Sequence, residues 1–196
     1  MENAIVTHLT EKMSQSLDKI LFQSTGTTSA NTIYSEITGL MARGSADSAT
    51  VKVTATTLSK SNVLDEIEKV YNALSDDAKA GEVKIFVSEK TYGFYKQALA
   101  GLGIFNGVQS TDPSVIGTAL YYDSRVEIVP TVGMANNKMF ATAKENLFVG
   151  LDTQSDWTEI RFVDMRNTTG DNFLRVIANF GIDINYADST AVVVYA

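Results

Sequence analysis

Two rhythms of apolar residues run along the chain, one of period three to four and one of period two. Between Asn3 and Phe22, the residues Ile5, Val6, Leu9, Met13, Leu17, Ile20 and Leu21 recur at three- and four-residue steps. Glu11, Lys12, Ser14, Gln15, Asp18 and Lys19 fill the gaps, which predicts an amphipathic helix of about five turns. Small polar residues from Gln23 to Ser29 end it. The stretch 30–60 carries weaker signals. Ile33–Met41 is a short apolar segment, Arg43–Ala49 reads as a loop, and Val51 and Val53 favour a brief strand. A second helix is predicted over Val63–Leu74, capped by Asn62 and striped by Val63, Leu64, Ile67, Val70, Tyr71 and Leu74. Asp76–Glu82 reads as a solvated turn. Val83–Val87 follows as a buried strand, and Ser88 caps a helix over Glu89–Leu99.

The last third changes to the shorter period. Val126–Val129 stops at Pro130, and Met139–Thr142, Leu147–Val149 and Thr158–Met165 are further short β candidates. From Leu174 to Tyr186 every second residue is apolar: Leu174, Val176, Ala178, Phe180, Ile182, Ile184 and Tyr186. A helix would scatter these side chains around its axis, whereas a strand collects them on one face. Ala187–Ser189 turns the chain, and Ala191–Tyr195 returns as an apolar closing strand. The fold class expected from this order is α+β.

Composition narrows the chemistry. The chain has 196 residues and no Cys, so disulfides, thiolate metal sites and Cys nucleophiles are excluded. His8 is the single histidine, which removes multi-His metal sites and leaves one imidazole per chain. The formal net charge is −7. Sequence-independent nucleic-acid binding needs several cations on phosphates, so the charge argues against a DNA-binding protein but leaves a DNA container open, and no specific nucleic-acid recognition is expected. No apolar run approaches the ~18 residues of a membrane span, and no basic stretch followed by an apolar run opens the chain. A soluble intracellular or assembled protein is expected.

Candidate reactive groups are sparse. His8 lies beside the apolar stripe of the first helix, and no G-x-S-x-G elbow accompanies it. Gly101–Gly107 puts its third glycine one position late for a dinucleotide loop, and the segment follows a helix where the motif needs a strand. Its expected role is a helix C-terminal glycine followed by a loop from Asn106 to Gly117. Asp76/Asp77 and Asp152 with Asp156 are paired carboxylates in turns. The second pair lacks the Gly and terminal Glu of a calcium loop. No catalytic residue, cofactor or metal is assigned.

The order of segments resembles the tailed-phage major capsid family. The resemblance is carried by helix 63–74, Val83-Lys-Ile-Phe-Val-Ser88, the helix with Tyr92 and Tyr95, Val126-Glu-Ile-Val-Pro-Thr131, a loop with Gly133, Met139–Thr142 and Leu147–Gly150. It continues through Phe173–Tyr186 and Ala191–Tyr195, and the first helix is similar to the family's spine helix. It implies a phage or prophage capsid subunit that assembles through repeated contacts with copies of itself in pentamer and hexamer rings. Such a subunit resides in the virion shell, after the host cytoplasm, with no membrane partner. A peripheral lobe would take 1–60 and 151–196, with the spine helix and a long C-terminal β-hairpin. An axial lobe would take 61–150, a small sheet flanked by helices, with the 101–120 loop toward the ring axis. The family's N-terminal arm and extended loop are not recognisable before the first helix. Those parts interlock neighbouring subunits, so a monomeric state of this chain alone is compatible with the resemblance. The alternatives are an encapsulin-like bacterial compartment shell and an unrelated carboxylate-dependent enzyme.

Overall fold

The computed structural model describes residues 2–26, 37–101, 119–120, 123–151, 161–164, 174–177 and 182–196. Helix α1, Glu2–Gln23, runs for 22 residues as the three-to-four-residue rhythm requires. Its last turns dock through Ile20 and Phe22, both buried, whereas Thr7, His8, Thr10, Glu11 and Lys12 are exposed. The next helix, α2 (Leu40–Ala46), occupies part of the expected 43–49 loop. The reason is tertiary packing. A Cβ on Gly44 would lie 2.5 Å from Val194 Cγ2, so the missing side chain lets the helix lie flat on the sheet, and Leu40 and Met41 are buried beside it.

Strand β1 (Val51–Val53), helix α3 (Val63–Ala73), helix α4 (Asp76–Ala80), strand β2 (Val83–Val87) and helix α5 (Glu89–Gly101) follow. Strand β2 alternates buried and half-buried residues. At α5, Ser88 Oγ accepts the Thr91 amide at 3.2 Å, the capping bond that the sequence suggests. Asn62 does not cap α3. Its Oδ1 accepts the Ser59 amide at 2.8 Å and its Nδ2 donates to Thr57 O, so it braces the preceding turn instead. Asp76–Ala80 is a short helix and not a plain turn, because Ser75 Oγ accepts the Ala78 amide and Ala78 is buried.

Strands β3 (Ala119–Leu120), β4 (Asp123–Pro130), β5 (Met139–Ala143), β6 (Leu147–Leu151), β7 (Arg161–Asp164), β8 (Leu174–Ile177), β9 (Ile182–Tyr186) and β10 (Val192–Tyr195) complete the described elements. A six-stranded mixed sheet has the order β1-β10-β5-β2-β4-β3. Strand β2 lies parallel to β4 and antiparallel to β5, and β10 lies antiparallel to β5 and parallel to β1. One sheet face, with Val83, Ile85, Val87, Val126, Ile128, Met139, Ala141, Val193 and Tyr195, joins Val63, Ile67, Val70, Tyr95 and Leu99 of α3 and α5 in one core. On the other face Phe86 and Phe140 pack with Phe22 of α1, the neighbouring rings tilted to one another with centroids 5.3 and 6.4 Å apart.

The alternating segment 174–186 maps onto β8 and β9, with 178–181 outside the described residues. Strand β8 pairs antiparallel with β7, and β9 pairs with β6. The expected hairpin between this segment and Ala191–Tyr195 does not form among the described residues, because β10 inserts between β1 and β5. All four β10 residues are buried. An unbroken Val-Val-Val-Tyr run suits a strand covered on both faces, whereas a hairpin arm open to water on one face would alternate.

By contact density the chain divides into one unit of Met1–Leu147 with Tyr186–Ala196 and a second of Phe148–Asn185. The first holds the six-stranded sheet and the helices. The second holds most of the β6–β9 pair and all of the β7–β8 pair. The glycine in mid-α5 offers a simple stability test. A Cβ on Gly93 would meet nothing within 4 Å. Gly93→Ala is therefore expected to raise stability by about 0.5–1 kcal/mol, measured as the midpoint of urea unfolding.

Candidate functional site

The polar side chains that the fold buries or clamps fall into four groups. The first lies between α3 and β10. Glu66 is only 5% exposed, and its Oε2 accepts the Tyr195 hydroxyl at 2.9 Å. Tyr195 Oη in turn accepts the Thr56 amide at 2.9 Å, and Lys69 Nζ reaches Glu66 Oε1 at 2.6 Å. Burial raises the Glu66 carboxyl, but hydrogen bonds from Lys69 and Tyr195 outweigh it and hold it below its ordinary value. The arrangement favours the ionised carboxylate.

The second group opens β4. Arg125 grips Asp123 through Nε at 3.2 Å and Nη2 at 3.1 Å, and the Tyr71 hydroxyl donates to Oδ2 at 3.0 Å. The Arg125 bonds, side chain first and backbone amide second, bring the Asp123 carboxyl down to about 2. A depressed carboxyl stabilises the fold above its unfolded pKa, near 3.8, and that contribution disappears as pH falls through about 2. Thermal melts between pH 5 and pH 2 are expected to show less acid sensitivity in Asp123→Asn than in the parent. Equal acid slopes would contradict this.

The third group joins the turn after β9 to the rest of its unit. Asn146 Oδ1 accepts the amides of Ala187 and Asp188 at 3.0 and 2.7 Å, while its Nδ2 donates to Thr142 Oγ1 and Asp188 O. Asp47 Oδ2 receives the Ser189 hydroxyl at 2.5 Å and the Tyr186 hydroxyl at 3.3 Å. The fourth is a clamp on α1. Thr131 Oγ1 donates to Asp18 Oδ2 at 2.9 Å, Gln23 Nε2 donates to Gly133 O at 2.6 Å, and Gly133 presses on the α1 backbone.

Those groups weighed from sequence that fall among the described residues do not converge on these clusters. His8 is exposed on α1, and Asp76 and Asp77 are exposed in the first turn of α4. Gly101 ends α5, and 102–107, the 106–117 loop, Asp152 and Asp156 lie outside the described residues. Among the described residues, no three His, Asp or Glu side chains group as metal ligands, and no helix is long and apolar enough to cross a membrane. A surface depression beside α1 is lined, among the described residues, by Lys19, Gln23, Thr25, Met134, Ala135 and Asn136, with Lys19 the ionisable group of these. Glu66, Asn146, Asp47 and Asp123 were not singled out by sequence reasoning. Each is a polar residue among other polar residues in sequence, and only the fold brings its partners from 40 or more positions away. What these clusters do chemically is fasten elements together.

No family model matches the sequence, and no curated protein matches it by sequence. Solved structures do match the fold along nearly the whole chain. The capsid of an empty GTA particle, computed with C5 symmetry, aligns with 100% of this chain and 65% of its own, at 11% identity and a TM-score of 0.59. The procapsid of satellite phage P4, which includes the size determination protein, aligns with 99% of this chain and 62% of its own, at 10% identity and a TM-score of 0.57. The cyanophage A-1(L) capsid aligns with 98% and 68%, at 14% identity and a TM-score of 0.55. The chain has the fold of phage capsid proteins. It spans slightly less than two thirds of the length of the first two.

Proposed function

We propose that the chain is a structural subunit of a phage or prophage capsid shell, built to assemble with copies of itself around DNA and not to catalyse a reaction. The observation that carries this reading is the fold match over 98–100% of the chain to three capsid proteins. The chemistry of the polar clusters supports it, since the buried Glu66 and the gripped Asp123 are held ionised by fixed partners. On this reading residues 61–150 build the axial lobe, and 1–60 with 151–196 the peripheral lobe, which lends β1 and β10 to the axial sheet. Repeated heterologous contacts close pentamer and hexamer rings and then a shell. The net charge of −7 suits a container that encloses DNA without adhering to it. Its place is the virion capsid, and the host cytoplasm before assembly.

Light scattering on the eluting chain tests the reading. Masses at five- or sixfold multiples of 21.3 kDa, or far above them, are expected at high concentration. A closed dimer that does not grow with concentration counts against it.

A further inference from the structure

Phe148 and Val149, adjacent on β6, are each 56% exposed and are the most exposed large apolar side chains among the described residues. Successive side chains of a strand project from opposite faces. Among the described residues, both faces of β6 are therefore uncovered at Phe148 and Val149, although Ile184 of β9 is buried. A two-stranded ribbon is marginal in water unless another layer covers it. Buried aromatic side chains cover about 150–250 Å² each, so Phe148 leaves on the order of 100 Å² open and the pair roughly 200 Å². A standard stable interface takes about 800 Å² from each partner. One such contact cannot hold a tight pairwise complex, but the same small contact repeated on many identical subunits can.

Charge selects the occupant further. Copies with a net charge of −7 repel one another, so self-contact is least costly where charge is absent. Leu147-Phe-Val-Gly-Leu151 is an uncharged run, with Asp183 as the acidic neighbour on β9. We propose that the Phe148–Val149 surface of β6 is a self-association surface, with each face of the ribbon covered by a different copy of this chain. The inference rests on the shell reading and assigns one of its contacts.

The test is photo-cross-linking from benzoylphenylalanine at position 148, in an equal mixture of ¹⁴N- and ¹⁵N-labelled chain at high concentration. The aromatic character of the site is retained, so folding is not at stake. Cross-links joining ¹⁴N to ¹⁵N chains are expected, and links confined to one chain overturn the proposal. Sedimentation equilibrium of Phe148→Ser combined with Val149→Ser should show the concentration for half-association rising at least tenfold. Val132→Ser, at an exposed apolar site in the other unit, should leave it unchanged; an equal effect of both changes overturns the proposal. Closed particles whose links from position 148 stay within one chain would sink this surface and leave the shell reading standing. Mixed-isotope links in open dimers that never close would do the reverse.

Discussion

Gly133→Ala is expected to cost about 3 kcal/mol, a fall of roughly 6–12 °C in Tm for a chain of this size. The cause is steric. A Cβ at 133 would sit 2.6 Å from the carbonyl carbon of Asp18 and 2.8 Å from Phe22 Cδ2. Neither neighbour can yield easily. The Asp18 carbonyl belongs to the α1 backbone, and Phe22 is wedged against Phe86. Gly133 is not among the glycines with positive φ, so alanine suffers no backbone penalty and the whole effect reports the close approach. The loss should be local as well as global. Thr131–Asp18 and Gln23–Gly133 O break when the turn moves away, so amide exchange should accelerate in the last turns of α1 before it does in β2 or β5. A Tm within 2 °C of the parent would contradict the clamp.

The second large effect is expected from Tyr195→Phe, which removes one oxygen from the buried network on α3. The buried Glu66 carboxylate loses its Tyr195 donor, while the amide of solvent-exposed Thr56 loses its acceptor. Leaving a buried charged group short of a partner costs about 2–3 kcal/mol, and more than the net worth of the bond itself. Glu66→Gln keeps the shape and an acceptor, and should cost about half as much. The double variant should then fall short of the sum by more than about 0.5 kcal/mol, since the two residues share one bond. Chemical denaturation of the four proteins gives this cycle directly. Strict additivity would mean that Tyr195 and Glu66 act independently.

Legibility from sequence followed the range of the forces involved. Helix α1, the Ser88 cap and the buried strand β2 rest on neighbours a few residues away, and the residue pattern shows them. Helix α2 does not, because a seven-residue helix containing Gly44 has poor intrinsic propensity and forms only against Val194 and Phe140. The partners of β10 are equally remote. Its run of four apolar residues signals burial on both faces, but nothing local says that Val51–Val53 and Met139–Thr142 are the flanking strands. The capsid resemblance came from the order of segments, a property of the whole chain, and the fold agrees with it. The polar fasteners stayed hidden for the same reason as α2. Glu66 looks like any helix-surface acid until Tyr195 arrives from 129 positions away.

The most direct measurement of the central claim is negative-stain electron microscopy of the purified chain, taken from low to millimolar concentration. The capsid-subunit account predicts rings with five- or sixfold symmetry, or closed particles assembled from them. A closed two-fold dimer that never grows into rings or particles at any concentration would contradict it.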